Sequence, residues 1–282
     1  MVIDGKTRLL GILGQNIDYT LSPEIHNFSI QKSKKNLVYV PFDVVGADIP
    51  QLLDGLWNVG ALGFNVTTPH KSVVASLISS QLPSVNTVYR GKKGWLGAST
   101  DGKGFEKGLE KIGGDLNKID RVVFFGNGGV VRGLLEYFVA RRHWEEKNSF
   151  FVLGRRGGET QKCERLAPGR VVSCPFSLSG FRRALNGATS RTLVIQGTSA
   201  PLHGLGLGEF VAGLEGFEGF FVDLVYTTPS ELLGHCQQLG IRHQDGLPML
   251  IEQARLSQEL WWGESCDYQQ LAELLQKRIN GQ

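Results

Sequence analysis

Two side chains able to move a proton stand out. Lys71 closes the segment GFNVTTPHK (63–71), and Asp101 sits in the polar stretch WLGASTDGKGF (95–105). An amine beside a carboxylate is what an enzyme needs to carry the hydroxyl proton while a hydride moves to or from an alcohol carbon. Each also has a plainer reading, Lys71 as a solvated residue of a first helical turn and Asp101 as the N-cap of the helix that follows. The hydride carrier has its own signal. VVFFGNGGVVRG (122–133) is an apolar run that meets Gly126-x-Gly128-Gly129 and then turns helical. Glycines there let the backbone bend sharply and approach a pyrophosphate at the positive end of a helix. Val131 takes the place of a third glycine. The next apolar run ends in Gly154-Arg155-Arg156, where an NAD binder usually offers a carboxylate to the ribose. Guanidinium groups pair with a 2′-phosphate that a carboxylate would repel, so NADP is favoured over NAD. The six histidines and four cysteines follow no metal-ligand spacing, and no metal is expected. No Gly-x-Ser-x-Gly elbow or Walker sequence is present.

The elements that must position these groups alternate. Strand-like runs at 9–14, 37–44 and 62–66 are separated by helix-like ones at 22–33 and 47–58, and a further helix opens near Lys71. Ser22 reads as the N-cap of the first helix, with Pro23 at its first position. This rhythm predicts a parallel sheet covered on both faces. A second such unit begins at 121, with strands expected at 149–154, 192–197 and 219–226, and the C-terminus reads as helices. The expected class is α/β with two α/β domains. The chain has 282 residues, 41% of them hydrophobic, and a net charge of +3. That charge is too small to imply a nucleic-acid partner. No apolar stretch approaches the roughly 18 residues of a membrane span, and the N-terminus lacks the pattern of a signal peptide. The cysteines are widely spaced with no CxxC, which fits a reducing compartment, so a cytoplasmic location is expected.

Several segments, in order along almost the whole chain, resemble the shikimate dehydrogenase family. YTLSPEIHN (19–27) is similar to its Ser-x-Ser-Pro-x-x-His-Asn motif, and GFNVTTPHK to Gly-Phe-Asn-Val-Thr-x-Pro-x-Lys. VNT (85–87), GASTDGKG (97–104), GNGGVVRG (126–133), DLVYTTPSELL (223–233) and DGLPMLIEQARLSQELWWG (245–263) continue the likeness. Thr20, Ser99, Gly154 and Gln196 depart from the usual residues. The resemblance implies a substrate-binding domain over 1–101, a Rossmann NADP-binding domain over 102–246, and C-terminal helices (247–282) that return to the first domain. It implies a catalytic pair, Lys71 and Asp101, in an interdomain cleft. Thr20 and Ser22 would hold a carboxylate, and Asn65, Thr67, Asn86, Tyr226 and Gln253 the hydroxyls of a ring. Gly126, Asn127, Gly128, Gly129, Val130, Gly154, Arg155, Arg156, Thr198, Gly246 and Met249 would hold NADP. The implied reaction is reversible reduction of 3-dehydroshikimate to shikimate, by a monomer or homodimer. Three other readings stay open: a paralogue acting on quinate or an aminated analogue, a dehydrogenase of the methylene-tetrahydrofolate type, and a non-catalytic NADP-binding sensor.

Overall fold

A computed structural model describes residues 3–141, 149–154 and 157–281. The chain divides into two compact units, one of the residues through Gly104 together with those from Ile251 onward, the other Phe105–Leu250.

The first unit runs β1 (Arg8–Gly14), α1 (Ser22–Lys32), β2 (Leu37–Asp43), α2 (Ile49–Asn58), β3 (Gly63–Val66), α3 (Lys71–Leu77), β4 (Thr87–Arg90) and β5 (Trp95–Ala98), and ends in the start of α4 (Asp101–Glu110). Its sheet has the order β2-β1-β3-β4-β5. The first three strands are parallel, as the βαβ rhythm predicts. The sheet as a whole is mixed, because β4 runs antiparallel to both β3 and β5. For β4 and β5 the reason is local: GKKG (91–94) is too short for a crossover, so the chain folds straight back as a hairpin. Buried side chains of this sheet, among them Leu13, Phe64, Val66 and Val88, pack with Ile49, Leu53 and Leu56 of α2 and Val74 of α3.

The second unit continues with β6 (Arg121–Phe125), α5 (Gly129–Val139), β7 (Ser149–Gly154), α6 (Gly157–Leu166), β8 (Val171–Pro175), α7 (Leu178–Leu185), β9 (Thr192–Gln196), β10 (Phe220–Asp223), α8 (Glu231–Gln238) and β11 (Arg242–Gln244). Its six strands are all parallel, in the order β11-β10-β9-β6-β7-β8. Val122 and Phe124 of β6 enter one core with Leu134, Leu135 and Phe138 of α5, while Val123 and Phe125 enter the other with Phe181 and Phe210. A strand buried on both faces must be apolar at every position, which explains the run VVFF. The strand order reverses between β6 and β9, the place where such sheets open a crevice at their carboxyl ends.

The chain then enters α9 (Leu247–Trp262) and α10 (Tyr268–Ile279). From Ile251 onward α9 belongs to the first unit. It meets α4 with no room to spare, since a Cβ on Gly104 would lie 2.8 Å from the backbone nitrogen of Gln253. Trp261 fills the slot beside Gly63 and donates its indole N–H to the Val88 carbonyl at 2.9 Å.

Candidate active site

Lys71 is the first residue of α3, delivered there by the short loop after β3, and Asp101 is the first residue of α4. The Lys71 ammonium donates to Asp101 Oδ2, with the two side chains 28% and 18% exposed. Neither plain reading describes them, since the lysine is not simply solvated and the carboxylate faces side chains of other elements. Asp101 Oδ1 accepts from Asn86 Nδ2 at 2.8 Å, so both carboxylate oxygens are engaged and the group is held as an acceptor.

Asn86 precedes β4 and is 3% exposed. Its Oδ1 accepts the Thr100 backbone N–H at 2.7 Å, which fixes the amide with Nδ2 toward Asp101. Nδ2 also lies 2.9 Å from Thr100 Oγ1 and 3.3 Å from Gln253 Oε1 on α9. Lys71, Asp101, Asn86 and Gln253 therefore form one connected group. Asn65, at the inward face of β3, continues it: its Nδ2 donates to the Asn86 carbonyl at 3.1 Å and its Oδ1 accepts from Tyr39 Oη at 2.7 Å.

Thr20 and Ser22 lie at the start of α1, where the Ser22 backbone N–H donates to Thr20 Oγ1 at 3.3 Å. Ser22 does not cap the helix, contrary to the sequence expectation; the residue preceding α1 is Leu21, without a side-chain cap. The Ser22 side chain is buried instead, beside the Tyr39 hydroxyl. Burial raises the Tyr39 hydroxyl well above its ordinary pKa, so it stays protonated and donates to Asn65. Thr67 sits half-buried at the end of β3, its methyl against Gly14. Tyr226 lies in the other unit, just beyond β10.

Beside Asn65 stands His26, fully buried and stacked on Tyr39 with ring centroids 4.4 Å apart. Burial drives its pKa from 6.5 down to about 3, with Asn65 pulling weakly the other way. The ring is therefore neutral and brings no positive charge to the Ser22 region. Sequence reasoning missed Tyr39, Thr87, Thr100 and Ser257 in this lattice. The available signal was polar residues set among apolar strand and helix positions, which does not by itself indicate burial.

In the second unit, Gly126 ends β6 with φ +97°, a conformation that favours glycine. A Cβ there would meet Thr198 Cγ2 at 2.9 Å. Gly128 precedes α5 without a side-chain cap, Gly129 and Val130 open the helix, and a Cβ on Gly128 or Gly129 would meet nothing within 4 Å. The first turn of α5 thus faces open space with its backbone N–H groups uncapped by side chain, and such a cradle fits a phosphate group. Asn127 Nδ2 donates to Thr160 Oγ1 at 2.9 Å and lies where a Cβ on Gly154 would fall. Gln196 holds the Thr198 turn by its backbone N–H (2.5 Å) and carbonyl (3.1 Å), and donates to Asp223 at 3.1 Å. Burial raises the pKa of the Asp223 carboxyl. Gly246 packs on the Leu224 carbonyl, and Met249 lies in the core of this unit. Arg155 and Arg156 lie outside the described residues. Among the described residues no group of three or more histidine, cysteine or acidic side chains is disposed to hold a metal, and no helix is long and apolar enough to cross a membrane.

A six-stranded parallel sheet in this order, with a glycine turn at its reversal point, is the nucleotide-binding architecture of dehydrogenases. Comparison narrows the class. A family model described as the shikimate dehydrogenase substrate binding domain matches residues 12–88. A curated relative from Microcystis aeruginosa, shikimate dehydrogenase (NADP(+)), is 31% identical over 300 residues, covering 99% of this chain and 99% of that one. The shikimate 5-dehydrogenase of Thermus thermophilus in complex with NADP(H) and shikimate superposes with TM-score 0.76 at 25% identity, over 96% of this chain and 99% of that chain. A quinate dehydrogenase from Corynebacterium glutamicum in complex with NAD superposes with TM-score 0.80 at 26% identity, again over 96% and 99%. The chain belongs to the shikimate dehydrogenase family.

Proposed function

We propose that this protein interconverts shikimate and 3-dehydroshikimate with NADP, and that Lys71 and Asp101 handle the proton. The observation that carries the reading is the Lys71–Asp101–Asn86 chain of contacts. Gly126, Gly128, Gly129 and the start of α5 would hold the cofactor's phosphates, and Thr198 the adjoining part; Asn127, Val130, Gly154, Gly246 and Met249 complete the proposed set. Arg155 and Arg156 supply the argument for the 2′-phosphate from sequence alone. When bound, NADP supplies or takes up the hydride.

Lys71 has three N–H donors, one of which is committed to Asp101. In the reduction the others stabilise the negative charge growing on the carbonyl oxygen, and Lys71 Nζ delivers the proton. In the oxidation the same nitrogen helps to remove it. Asp101 orients the ammonium, and Asn86 keeps Asp101 an acceptor. The longest contact of Asn86 Nδ2 is the one to Gln253 Oε1. A ring hydroxyl inserted there accepts from Asn86 and donates to Gln253, so it replaces a weak contact with two good ones. Thr20 and Ser22 offer short hydroxyl donors to a carboxylate. Asn65 is fully engaged within the protein, so its contribution to a ring hydroxyl requires exchange of one of these bonds.

The likeness to a quinate dehydrogenase supports a second reading, turnover of quinate. Absorbance at 340 nm separates the two, with shikimate or quinate paired with NADP or NAD. Faster reduction of NADP with shikimate than in any other mixture is expected. Preferred quinate turnover would replace the substrate assignment, and silence in all four mixtures from folded, NADPH-binding protein would move a sensor role to the front.

A further inference from the structure

One hydroxyl ties β3, which carries Asn65, and β4, which Asn86 precedes, to the helix that carries Gln253. Ser257 Oγ, on α9, has no exposure to solvent. It accepts from Asn65 Nδ2 of β3 at 3.1 Å, lies 2.8 Å from Thr87 Oγ1 of β4, and donates to the Gln253 carbonyl at 3.0 Å. Thr87 Oγ1 in turn reaches Asn86 Oδ1 at 3.2 Å and accepts from Asn65 Nδ2 at 3.2 Å. Ser257 is one helical turn beyond Gln253 on the same face. Its contacts therefore set the height of the Gln253 carboxamide above β4, and with it the spacing between Gln253 Oε1 and Asn86 Nδ2.

We infer that Ser257 is a positioning residue for substrate recognition: through Asn65 and Thr87 it fixes the gap between Asn86 and Gln253 into which a ring hydroxyl fits. The inference rests on the function proposed above. Without the Ser257 hydroxyl, Asn65 and Thr87 keep their other partners and the unit still folds. What is lost is the register of α9 over the two amides. The chemical step, which depends on Lys71 and Asp101, is untouched, and so is the nucleotide unit.

The experiment compares steady-state constants of the wild type, Ser257→Ala, Thr87→Val, the double variant and a control, Ser29→Ala. Ser29 is equally buried and also bonds α9, accepting from Gln258 Nε2 at 2.9 Å, but it lies outside the Asn65–Thr87 lattice. Thermal midpoints of all five are recorded alongside. Ser257→Ala should raise the KM for shikimate about five- to tenfold, the order of one well-made hydrogen bond, with kcat and the KM for NADP within about twofold of wild type. The double variant should be little worse than the worse single one, because both remove the same link. Ser29→Ala should lower the thermal midpoint as much while leaving the shikimate KM unchanged. An unchanged shikimate KM in Ser257→Ala, equal KM changes in Ser257→Ala and Ser29→Ala, or strict additivity of the pair overturns the inference and leaves the proposed function standing. A wild type that turns over neither shikimate nor quinate overturns both.

Discussion

His26 makes the stability of the first unit depend on pH in a calculable way. Its neighbours among the described residues include Tyr39, Trp261, Gln258 and Asn65, none of them acidic, and the pull of Asn65 toward a protonated ring is smaller than the cost of burial. In the unfolded chain the same imidazole titrates near 6.5, whereas burial holds it to about 3 in the fold. A histidine depressed in this way contributes its stability above the unfolded value and loses it as pH falls from there toward the folded value. At pH 5 the loss relative to pH 7.5 is about 2 kcal/mol, and at pH 4 about 3 kcal/mol. The perturbation that isolates it is His26→Phe, which keeps a ring against Tyr39 and Trp261 but cannot titrate. Gln258 Nε2 retains Ser29 Oγ as acceptor. Urea unfolding followed by tryptophan emission is a suitable assay, because Trp57, Trp95, Trp261 and Trp262 all belong to the first unit. Wild type should lose about 2 kcal/mol more than the variant between pH 7.5 and pH 5. Asp223 and Asp245, whose carboxyls burial raises, act in the opposite sense and cancel in the difference. Parallel pH profiles of the two proteins would refute the reasoning.

Lys71→Ala should lower kcat by about a hundredfold or more with a much smaller change in binding of the ring acid, read from single-turnover rates and equilibrium titration; undiminished turnover would remove Lys71 from the chemistry. Gly104→Ala places a Cβ 2.8 Å from the Gln253 backbone, so α9 must move. The expected cost is about 1–3 kcal/mol by urea unfolding, together with a raised KM for shikimate. Gly126→Ala puts an L-residue at φ +97° and against Thr198, and should destabilise by about 1–3 kcal/mol and raise the KM for NADP while sparing that for shikimate. Removing Arg155 and Arg156 together should raise the KM for NADPH and affect NADH little; equal effects on both would show that these arginines do not read the phosphate.

What could be read from sequence was local. The nucleotide unit announces itself because strand, glycine turn and helix are contiguous, so VVFFGNGG carries its own context. Lys71 at the start of a helix was equally visible, since the apolar run, the proline and the helical stretch adjoin. The antiparallel hairpin was not: β4 and β5 are four residues each, and an alternating βα rhythm suggests a parallel sheet throughout. β8 (VVSCP) and the three-residue, polar β11 (RHQ) escaped because neither offers an uninterrupted apolar run. The buried hydroxyl lattice was the least legible part. Thr87 meets Ser257 across 170 residues, and no pattern near either one signals the other. Ser22 misled because serine before proline looks like a helix cap, whereas its side chain is buried and makes no cap. The arginines after β7 were conspicuous in sequence and lie outside the described residues.

The slot beside Gly63 has a consequence for how the protein is made. The indole that fills it belongs to Trp261, which is synthesised after every strand of both units. Until then the sheet built from the first hundred residues has a hole beside Val88 and an Asn65 without its serine partner. The nucleotide unit, by contrast, is one uninterrupted stretch and has all its strands by residue 244. The part synthesised first is thus the part completed last. A nascent chain arrested just after Leu250 would carry a complete nucleotide unit alongside a first unit that still lacks most of α9.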